Sequence, residues 1–493
     1  MPSNLHNQGT DGTGAPLEEW LNQELRFAAT AMQRSVSATH LARERKAFGQ
    51  SITPNRGSIL ASPEIANYDP DPDYFFHWLR DSALVMDAMR EAMRAGLIGH
   101  EGHAHFADFI RFSLSLTDAS TTRARLDRNS VDAQYQQFLR PDSELYETSP
   151  DSLLAETRFN PDGSRDILKW ARPQADGPAL RAMTIMRYWP LCPPDDIETK
   201  RLLEQLIRQD LAFVARHCRS PSFDLWEEEL GENYYTRLVQ LGALTYGLGW
   251  YRNVDGATEP ANVRKLIDEL STELYRYWSA TEGIYLAQAP SAAQFQNKNP
   301  NIAIVLGALH ARLATGAHSI FDPKVQATLA KLEATFATSL ALNRMAGREQ
   351  APVLGRYPGD VYYGGGAWHL ATLAAAELYF RLASGIASGQ AFIRTRENEA
   401  FYARAAHGLV KESRQSMAGQ AADNAALAFF ARGDALLATF RRFVPPSGEL
   451  SEQVDRETGK PASAKNLAWS YAAFITACQA RRSAITEIGM LSP

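Results

Sequence analysis

Two acidic stretches of the sequence contain the residue types needed for acid–base chemistry. The first, FDLWEEELGENYY (223–235), places four acidic side chains around one tryptophan: Asp224, Trp226, Glu227, Glu228 and Glu229. The second, LSEQVDRETGK (450–460), contains Glu452 beside Gln453. Cleavage of a glycosidic bond needs one carboxyl group held protonated and another held ionised, and an apolar neighbour such as Trp226 would raise the pKa of one glutamate. The alternative for the first stretch is a solvated helix start, where acidic residues are favoured.

Aromatic residues accompany these carboxyl groups. The sequence places nine of them in or beside the turns that carry charges, Gly and Pro: Tyr74, Trp78, Trp170, Trp226, Tyr357, Tyr362, Tyr363, Trp368 and Trp469. Rings that keep one polar edge suit the faces of sugars, which have an apolar C–H side and hydroxyl groups around the rim. Sugar binding is therefore predicted, and the alternative is that these rings only fix the loops to the scaffold.

Three further charged residues suit the directional recognition of sugar hydroxyl groups. Arg80 and Asp81 are adjacent, and Arg356 lies in GRYPGDVYYGGGAW (355–368). Fixed guanidinium and carboxylate groups can hydrogen-bond the hydroxyl groups of a terminal sugar and so give specificity for the end of a chain. The alternative for Asp81 is a helix N-cap with a neighbouring salt bridge.

Other motifs indicate neither a metal nor a nucleotide cofactor. The histidines of HEGHAH (100–105) do not have the HExxH spacing of a zinc helix, so a solvated helix start is predicted. Gly364–Gly366 lack the Lys-Ser/Thr pair of a phosphate loop. No cofactor and no metal are expected.

Composition limits the class of partner. The 493 residues include 51 Lys+Arg and 56 Asp+Glu, a formal net charge of −5, with no Lys/Arg-rich block. Nucleic acid and anionic membranes are therefore not expected as partners, whereas an uncharged ligand fits. No apolar run is long enough to span a membrane, and the three cysteines are predicted to be buried thiols.

The N-terminal residues 1–15 predict a disordered polar tail rather than a secretory signal. A cytoplasmic monomer is expected, with a trimmed secreted or periplasmic form as the alternative.

Helical periodicity dominates the chain and predicts an all-α protein. Apolar spacing predicts helices near 16–46, 81–95, 103–116, 178–190, 195–217, 232–252, 257–278, 301–315, 323–341, 367–384, 396–413, 422–440 and 467–482. Some carry a single apolar stripe, as in 257–278, whereas 366–383 and 467–478 are apolar nearly all round and should be buried.

Six elaborate turns, each followed by a helix, lie between these helices: 68–82, 169–181, 223–235, 296–301, 355–368 and 450–460. If alternate helices form an inner ring, these loops meet at one end of it. We therefore predict one domain, residues 16–493, with six inner and six outer helices.

The same loops resemble a known family, glycoside hydrolase family 15, the glucoamylases, of a type without a starch-binding module. The similar segments occur in the family's order between about residues 50 and 482: PDYFFHWLRDSALV (72–85), KWARPQADGPALRA (169–182), FDLWEEELGENYYT (223–236), GRYPGDVYYGGGAWHLATLAAAE (355–377), LSEQVD (450–455) and NLAWSYAAFITA (466–477). The resemblance implies an (α/α)6 barrel and inverting, exo-acting release of β-glucose from α-1,4-linked glucans.

The resemblance also implies residue roles. Glu227 is the expected general acid and Glu452 the expected general base. The substrate-binding residues would be Tyr74 near the base, Trp170 near the acid, Arg80 and Asp81 on the terminal glucose, Arg356 also on sugar, Glu228 on the second sugar, and Trp78, Trp368 and Trp469 lining the pocket. Asp224 and Trp226, from the first acidic stretch, complete the set of predicted substrate-binding residues.

Some residues depart from the family pattern. Gly364–Gly366 replace polar residues and add backbone freedom, and His77 and Leu79 flank Trp78. Three alternatives remain open from the sequence: trehalose or α-1,6-linked dextran as the substrate, a phosphorolytic enzyme, and a non-catalytic glucan-binding regulator.

Overall fold

Helices form nearly everywhere that apolar spacing predicts them. The structure is a computed structural model that describes residues 16–66, 70–254, 262–289, 298–345, 351–406 and 418–489; the predicted tail, 1–15, lies outside the described residues. The α-helices are α1 (Leu17–Gln33), α2 (Leu79–Arg94), α3 (Glu101–Ser115), α4 (Asp142–Leu145), α5 (Pro150–Leu154), α6 (Gly177–Tyr188), α7 (Ile197–His217), α8 (Tyr234–Asn253), α9 (Val263–Leu274), α10 (Ala303–Ala311), α11 (Pro323–Ser339), α12 (Ala341–Met345), α13 (His369–Ala387), α14 (Glu399–Ala406), α15 (Ala418–Arg441) and α16 (Ala468–Ile488).

Six of these helices form a closed inner ring. Around the ring the order is α2, α6, α8, α10, α13 and α16, and α16 packs back against α2. The inner helices are buried on most sides, as in α13, where residues from His369 to Phe380 are all buried. The outer helices α1, α3, α7, α9, α11 and α15 precede them in the chain. Helix α9 buries a single stripe, Val263, Leu270 and Leu274, whereas α11 is buried on more sides. The predicted (α/α)6 architecture is confirmed.

The apolar character of α13 follows from its place in this ring. By length and composition alone the helix could cross a membrane, but most of it is buried. It packs against α15 and α16, so its apolar surface is covered within the protein.

The β-strands are short and tie loops together. They are β1 (Arg43–Arg45), β2 (Gln50–Ile52), β3 (His77–Trp78), β4 (Arg158–Phe159), β5 (Ser222–Phe223), β6 (Leu230–Gly231), β7 (Trp278–Ser279), β8 (Ile284–Tyr285), β9 (Ala367–Trp368), β10 (Gln453–Val454) and β11 (Pro461–Ala462). All pair antiparallel, as β1–β2, β3–β4, β5–β6, β7–β8 and a three-stranded sheet in the order β11-β10-β9. In these pairings Trp78 lies opposite Arg158, and Trp368 lies opposite Gln453.

The first predicted helix, 16–46, was too long. Helix α1 ends at Gln33, because the following backbone bonds to another segment: Ser37 N–H donates to Ser58 O and Leu60 N–H donates to Ser35 O, both at 2.9 Å. Ser37 itself has a left-handed φ of 51°, which a helix cannot continue through. These contacts lie far apart in sequence, so helical spacing alone does not reveal them.

The three cysteines are buried, as predicted. Cys192, Cys218 and Cys478 are all free thiols. Burial raises the pKa of the Cys478 thiol to about 12, so it stays protonated at physiological pH.

Candidate active site

The six loops that lead into the inner helices meet at the N-terminal end of the ring, as predicted. Their described parts are 70–82, 169–181, 223–235, 298–301, 355–368 and 450–460, and side-chain hydrogen bonds join them. For example, Trp78 and Trp170 both donate to Glu227, whereas Lys298 and Arg356 both donate to Glu228. The small sheet β11-β10-β9 joins the last two loops. Residues far apart in sequence therefore form one site.

Glu227 is presented by a tight turn. It has a left-handed φ of 64°, which is unusual for a residue other than glycine. The Asp224 carboxylate accepts the backbone N–H groups of Glu228 at 2.8 Å and of Glu229 at 3.0 Å, and so closes the turn. Burial raises the pKa of Asp224 to about 6. The turn thus occupies the Asp224 carboxylate, and its role in sugar binding stays a prediction.

Three donors meet the Glu227 carboxylate. Trp78 Nε1 lies 2.8 Å and Arg80 Nη2 lies 2.6 Å from Oε1, and Trp170 Nε1 donates to Oε2. The rings beside this carboxylate are therefore those of Trp78 and Trp170. Trp226, which the sequence suggested as the apolar neighbour, instead donates from Nε1 to Oδ1 of Asn301 at 3.1 Å.

Glu452 lies in a strand ladder that holds it below the surface. Its N–H donates to Ala464 O at 2.7 Å, and its side chain is buried. Burial raises the pKa of the Glu452 carboxyl to about 7, and this rise is opposed by hydrogen bonds from Ser463 and Tyr74 and by the charge of Arg356. The Ser463 hydroxyl donates to Oε2. Both forms of this carboxyl group are therefore populated near neutral pH.

Arg80 and Asp81 lie beside Glu227. Arg80 Nη1 lies 3.2 Å from Asp176 Oδ2, and Arg80 Nε lies 3.6 Å from Asp81 Oδ2. Neither Arg80 Nε nor Asp81 Oδ2 has a hydrogen-bond partner among the described residues. Burial raises the pKa of Asp81 to about 6. Both atoms thus keep unused bonding capacity, and the role of Arg80 and Asp81 on the terminal glucose stays a prediction.

The N-cap alternative for Asp81 is wrong. Helix α2 begins at Leu79, its N-cap is Trp78, and no side chain caps it. Asp81 therefore lies inside the first turn, where its negative charge is favoured by the helix dipole.

Arg356 belongs to a second charged cluster around Glu228. Its Nε and Nη2 atoms form a fork with Asp360 at 2.7 and 2.6 Å, and Nη2 also lies 2.8 Å from Glu228 Oε1. Glu228 Oε2 accepts from Tyr357 OH at 2.6 Å and from Lys298 Nζ at 2.8 Å. Arg356 and Lys298 lower the pKa of Glu228 against the effect of its burial. Glu228 is therefore held ionised.

The predicted aromatic residues line these charges. Tyr74 OH lies 2.7 Å from Tyr362 OH, and the Tyr74 ring packs 5.0 Å from that of Trp78. Trp226 and Trp368 pack edge to face at 5.5 Å. Trp469 lies under the Arg80 guanidinium, at 5.7 Å.

The glycine loop is bonded to its surroundings rather than free. The N–H groups of Gly364, Gly365 and Gly366 donate to Val361 O, Tyr362 O and Gln453 Oε1 at 3.1, 3.0 and 2.9 Å. Gly364 and Gly365 have φ of 86° and 63°, so the glycines supply a left-handed turn. The expected gain in backbone freedom stays a prediction.

The residues beside Trp78 point away from the site. His77 is fully buried and its Nδ1 accepts the Ile59 N–H at 2.9 Å; burial lowers the pKa of His77 to about 3, so the ring is neutral. Leu79 packs in a small apolar cluster with Phe112 and Phe159. Both side chains therefore take part in the packing that supports the loop.

The HEGHAH segment forms the start of α3. Within the described residues, no group of three His, Cys, Asp or Glu side chains is arranged to hold a metal ion. His103 instead pairs through Nδ1 with Tyr188 OH at 2.8 Å.

Comparison with known proteins decides the family. The model of glycosyl hydrolases family 15 matches residues 35–479. The chain belongs to this family.

Named members of family 15 show how far the similarity extends. Glucoamylase-1 of Arthroderma benhamiae is 29% identical over 438 residues, which are 87% of this chain and 65% of that protein. Glucoamylase P of Amorphotheca resinae is 30% identical over 443 residues, 86% of this chain and 65% of that one. The chain thus spans about two thirds of the length of these relatives. The solved family 15 glucoamylase from Hypocrea jecorina superposes with a TM-score of 0.75 at 25% identity, covering 97% of this chain and 73% of that one.

Sequence reasoning missed several residues of this family 15 site. Asp176, Lys298, Asp360 and Ser463 all touch predicted site residues. Asp360 had a signal, since it lies four residues after Arg356 in the same turn, and Lys298 lies in one of the six predicted loops. Ser463 follows Glu452 by eleven residues, and only the pairing of β10 with β11 brings it close.

Proposed function

We propose that the protein is an inverting, exo-acting glycoside hydrolase that releases β-D-glucose from the non-reducing ends of α-1,4-linked glucans and maltooligosaccharides. The observation that carries this proposal is a pair of carboxyl groups that come from separate loops and lie in one aromatic-lined site. Glu227 accepts hydrogen bonds from Trp78, Arg80 and Trp170, and Glu452 is buried. Two such groups are the machinery that hydrolysis of a glycosidic bond requires.

The proposed chemistry assigns one proton transfer to each carboxyl group. Protonated Glu227 gives its proton to the glycosidic oxygen as the bond from that oxygen to C1 breaks. Ionised Glu452 takes a proton from a water molecule, whose oxygen forms the new bond to C1 from the opposite face. The configuration at C1 is therefore inverted, and the product is β-glucose.

The surroundings of Glu452 suit a general base that works near neutral pH. Its pKa is raised by burial to about 7, while Ser463, Tyr74 and Arg356 stabilise the ionised form. A base titrating close to the working pH combines a sufficient ionised fraction with a strong tendency to accept a proton.

The charged cluster around Glu228 supports recognition of a second sugar. Its carboxylate, held by Arg356, Tyr357 and Lys298, is an ionised acceptor at a fixed position. The relatives named above as glucoamylases favour α-1,4-linked glucans over trehalose or α-1,6-linked dextran as the substrate. A monomeric, cytoplasmic protein that binds neither nucleic acid nor membranes stays a prediction from the sequence.

The test is glucose release from maltose, maltoheptaose, isomaltose and trehalose, measured side by side with Glu452→Gln as the control. We expect rapid release from the two α-1,4-linked substrates and a large loss in the variant. Faster release from isomaltose or trehalose would assign the alternative substrate, and no release from any of the four would favour the non-catalytic regulator.

A further inference from the structure

Arg158 is a fully buried cation surrounded by aromatic rings. Its exposed fraction is 0%, and its guanidinium carbon lies 3.6 Å from the ring centre of Trp170, 4.8 Å from that of Trp78 and 4.0 Å from that of Phe76. The β3–β4 pairing explains this position, because Arg158 is the direct cross-strand partner of Trp78. Side chains directly opposite on an antiparallel pair share one face of the ribbon.

The two tryptophans in contact with Arg158 are those that hydrogen-bond Glu227. Trp78 donates to Oε1 at 2.8 Å and Trp170 donates to Oε2, so each indole holds one oxygen of the carboxylate. The rings cross at 77° with centres 6.3 Å apart, and the guanidinium lies against both. The Arg158 side chain thus contacts both indole rings that hydrogen-bond Glu227.

The Arg158 guanidinium is also held by a buried carboxylate. Arg158 Nε lies 2.8 Å from Asp166 Oδ2, which also accepts from Arg172 Nη2 at 3.0 Å. Asp166 is buried, and the nearby arginines lower its pKa to about 2. Because Arg172 remains bonded to this carboxylate, replacing Arg158 does not leave Asp166 without a cation.

We propose that Arg158 is a positioning residue that fixes the indoles of Trp78 and Trp170 against the Glu227 carboxylate. This inference rests on the proposed function, in which Glu227 is the general acid. A planar guanidinium stacks on aromatic faces, and the interaction is strongest where water is excluded. A cation over the face of an indole also withdraws electron density and makes its N–H a better donor. Arg158 therefore acts on Glu227 through the two rings.

The rival explanation is that Arg158 only supports the fold. Loss of this buried arginine would then lower Tm. It would also lower kcat by the same factor whether or not Trp170 keeps its indole N–H. Arg165 offers a matched control, since it is also buried, lies in the same segment and pairs with Glu156 at 2.6 Å.

The experiment is a double-mutant cycle on kcat for maltotriose with Arg158→Met and Trp170→Phe, and with Tm measured for every variant. Phenylalanine keeps an aromatic ring at position 170 but removes the N–H that reaches Glu227. Arg158→Met alone should lower kcat about tenfold or more. In the Trp170→Phe background, the loss of kcat caused by Arg158→Met should be smaller by at least about threefold. Arg165→Met should lower Tm with the same kcat factor in both backgrounds.

Arg158→Lys provides the same cycle if the methionine variant does not fold. Lysine keeps the positive charge but cannot cover two rings and bond Asp166 at once, so its kcat loss should also shrink in the Trp170→Phe background. Equal loss factors in both backgrounds would overturn the positioning role. A wild-type protein that releases no glucose would instead refute the proposed function, so the two failures are distinguishable.

Discussion

Arg80 Nη2 lies 2.6 Å from Glu227 Oε1, so two side chains expected to have separate tasks are in direct hydrogen-bond contact. Arg80 also bonds Asp176 at 3.2 Å and lies 3.6 Å from Asp81, so it is shared among three carboxyl groups. The expected sugar-binding arginine is thus electrostatically linked to the expected acid. Any change in the charge of Glu227 during the reaction is felt at the group that would hold the terminal sugar.

Replacement of Glu227 by glutamine tests the assignment of the acid. The carboxamide keeps the size of the side chain but cannot donate an acidic proton, so we expect kcat for maltotriose to fall about 10²–10⁴-fold. KM should also rise modestly, because the NH2 group of glutamine cannot accept from the donors that it faces, either Trp170 or the Trp78–Arg80 pair. Glu229→Gln is the control, since Glu229 lies in the same turn but pairs with Lys298 at 2.7 Å. Comparable losses in both variants would contradict the assignment.

Ser463→Ala tests the role of Glu452 through the pH profile. The Ser463 hydroxyl donates to Glu452 Oε2 and so opposes the effect of burial, which still raises the pKa of Glu452 to about 7. Because the base must be ionised, activity rises with pH through this pKa. Removing the donor destabilises the ionised form, so the acidic limb of kcat/KM should move to higher pH by about 0.5–1 unit. Ser451→Ala is the control, since Ser451 bonds the Gln453 carbonyl at 2.6 Å. An unmoved limb in Ser463→Ala would exclude Glu452 as the titrating base.

The glycine loop offers a matched pair of substitutions. A Cβ atom at Gly365 would lie 1.8 Å from Asp360 O, whereas one at Gly364 would meet nothing within 4 Å, and both residues have positive φ. Gly364→Ala should therefore cost only the backbone term, about 1–2 kcal/mol. Gly365→Ala should also displace Asp360 from Arg356, and so lower Tm further and raise KM for maltose. The measurement is thermal unfolding together with maltose kinetics, and equal effects at the two positions would show that the loop accommodates the added methyl group.

Glu24 allows a test of buried charge far from the site. It lies in α1, its Oε1 makes no hydrogen bond with any described residue, and burial raises its pKa to about 8. The unfolded chain ionises near 4.5 but the folded chain does not, so this carboxyl group lowers stability as pH rises from about 4.5 to about 8. Glu24→Gln should therefore unfold at a higher temperature than the wild type, by a margin that grows from pH 5 to pH 8. Glu19→Gln, an exposed position on the same helix, should show no such trend.

The helices and their alternation could be predicted because burial leaves a local pattern. The segment 467–478 is apolar nearly all round and leads into the inner helix α16, which begins at Ala468. The segment 257–278 carries one stripe and contains the outer helix α9 (Val263–Leu274), while its residues 257–261 lie outside the described residues. The end of α1 could not be predicted, because Ser35 and Ser37 bond a segment more than twenty residues further along the chain.

The sequence predicts which residues form the candidate site, but it does not predict which of them contact one another. The resemblance identified residues in all the main loops, whereas Trp226 was only expected to be the apolar neighbour of one glutamate. The left-handed φ of 64° at Glu227 separates the two side chains, and Trp78 and Trp170 take the expected place. Arg158 and Ser463 reach the site only because short strands pair with each other. A strand of two residues leaves almost no pattern in the sequence, so this pairing could not be predicted.

The most direct test of the account is the anomeric form of the first glucose released. Proton NMR of a fresh digest of maltotriose distinguishes the two anomers before they equilibrate in water. Attack by water on the face opposite the leaving oxygen predicts β-glucose as the initial product, followed by slow appearance of the α form. Initial release of α-glucose would contradict inversion by Glu227 and Glu452.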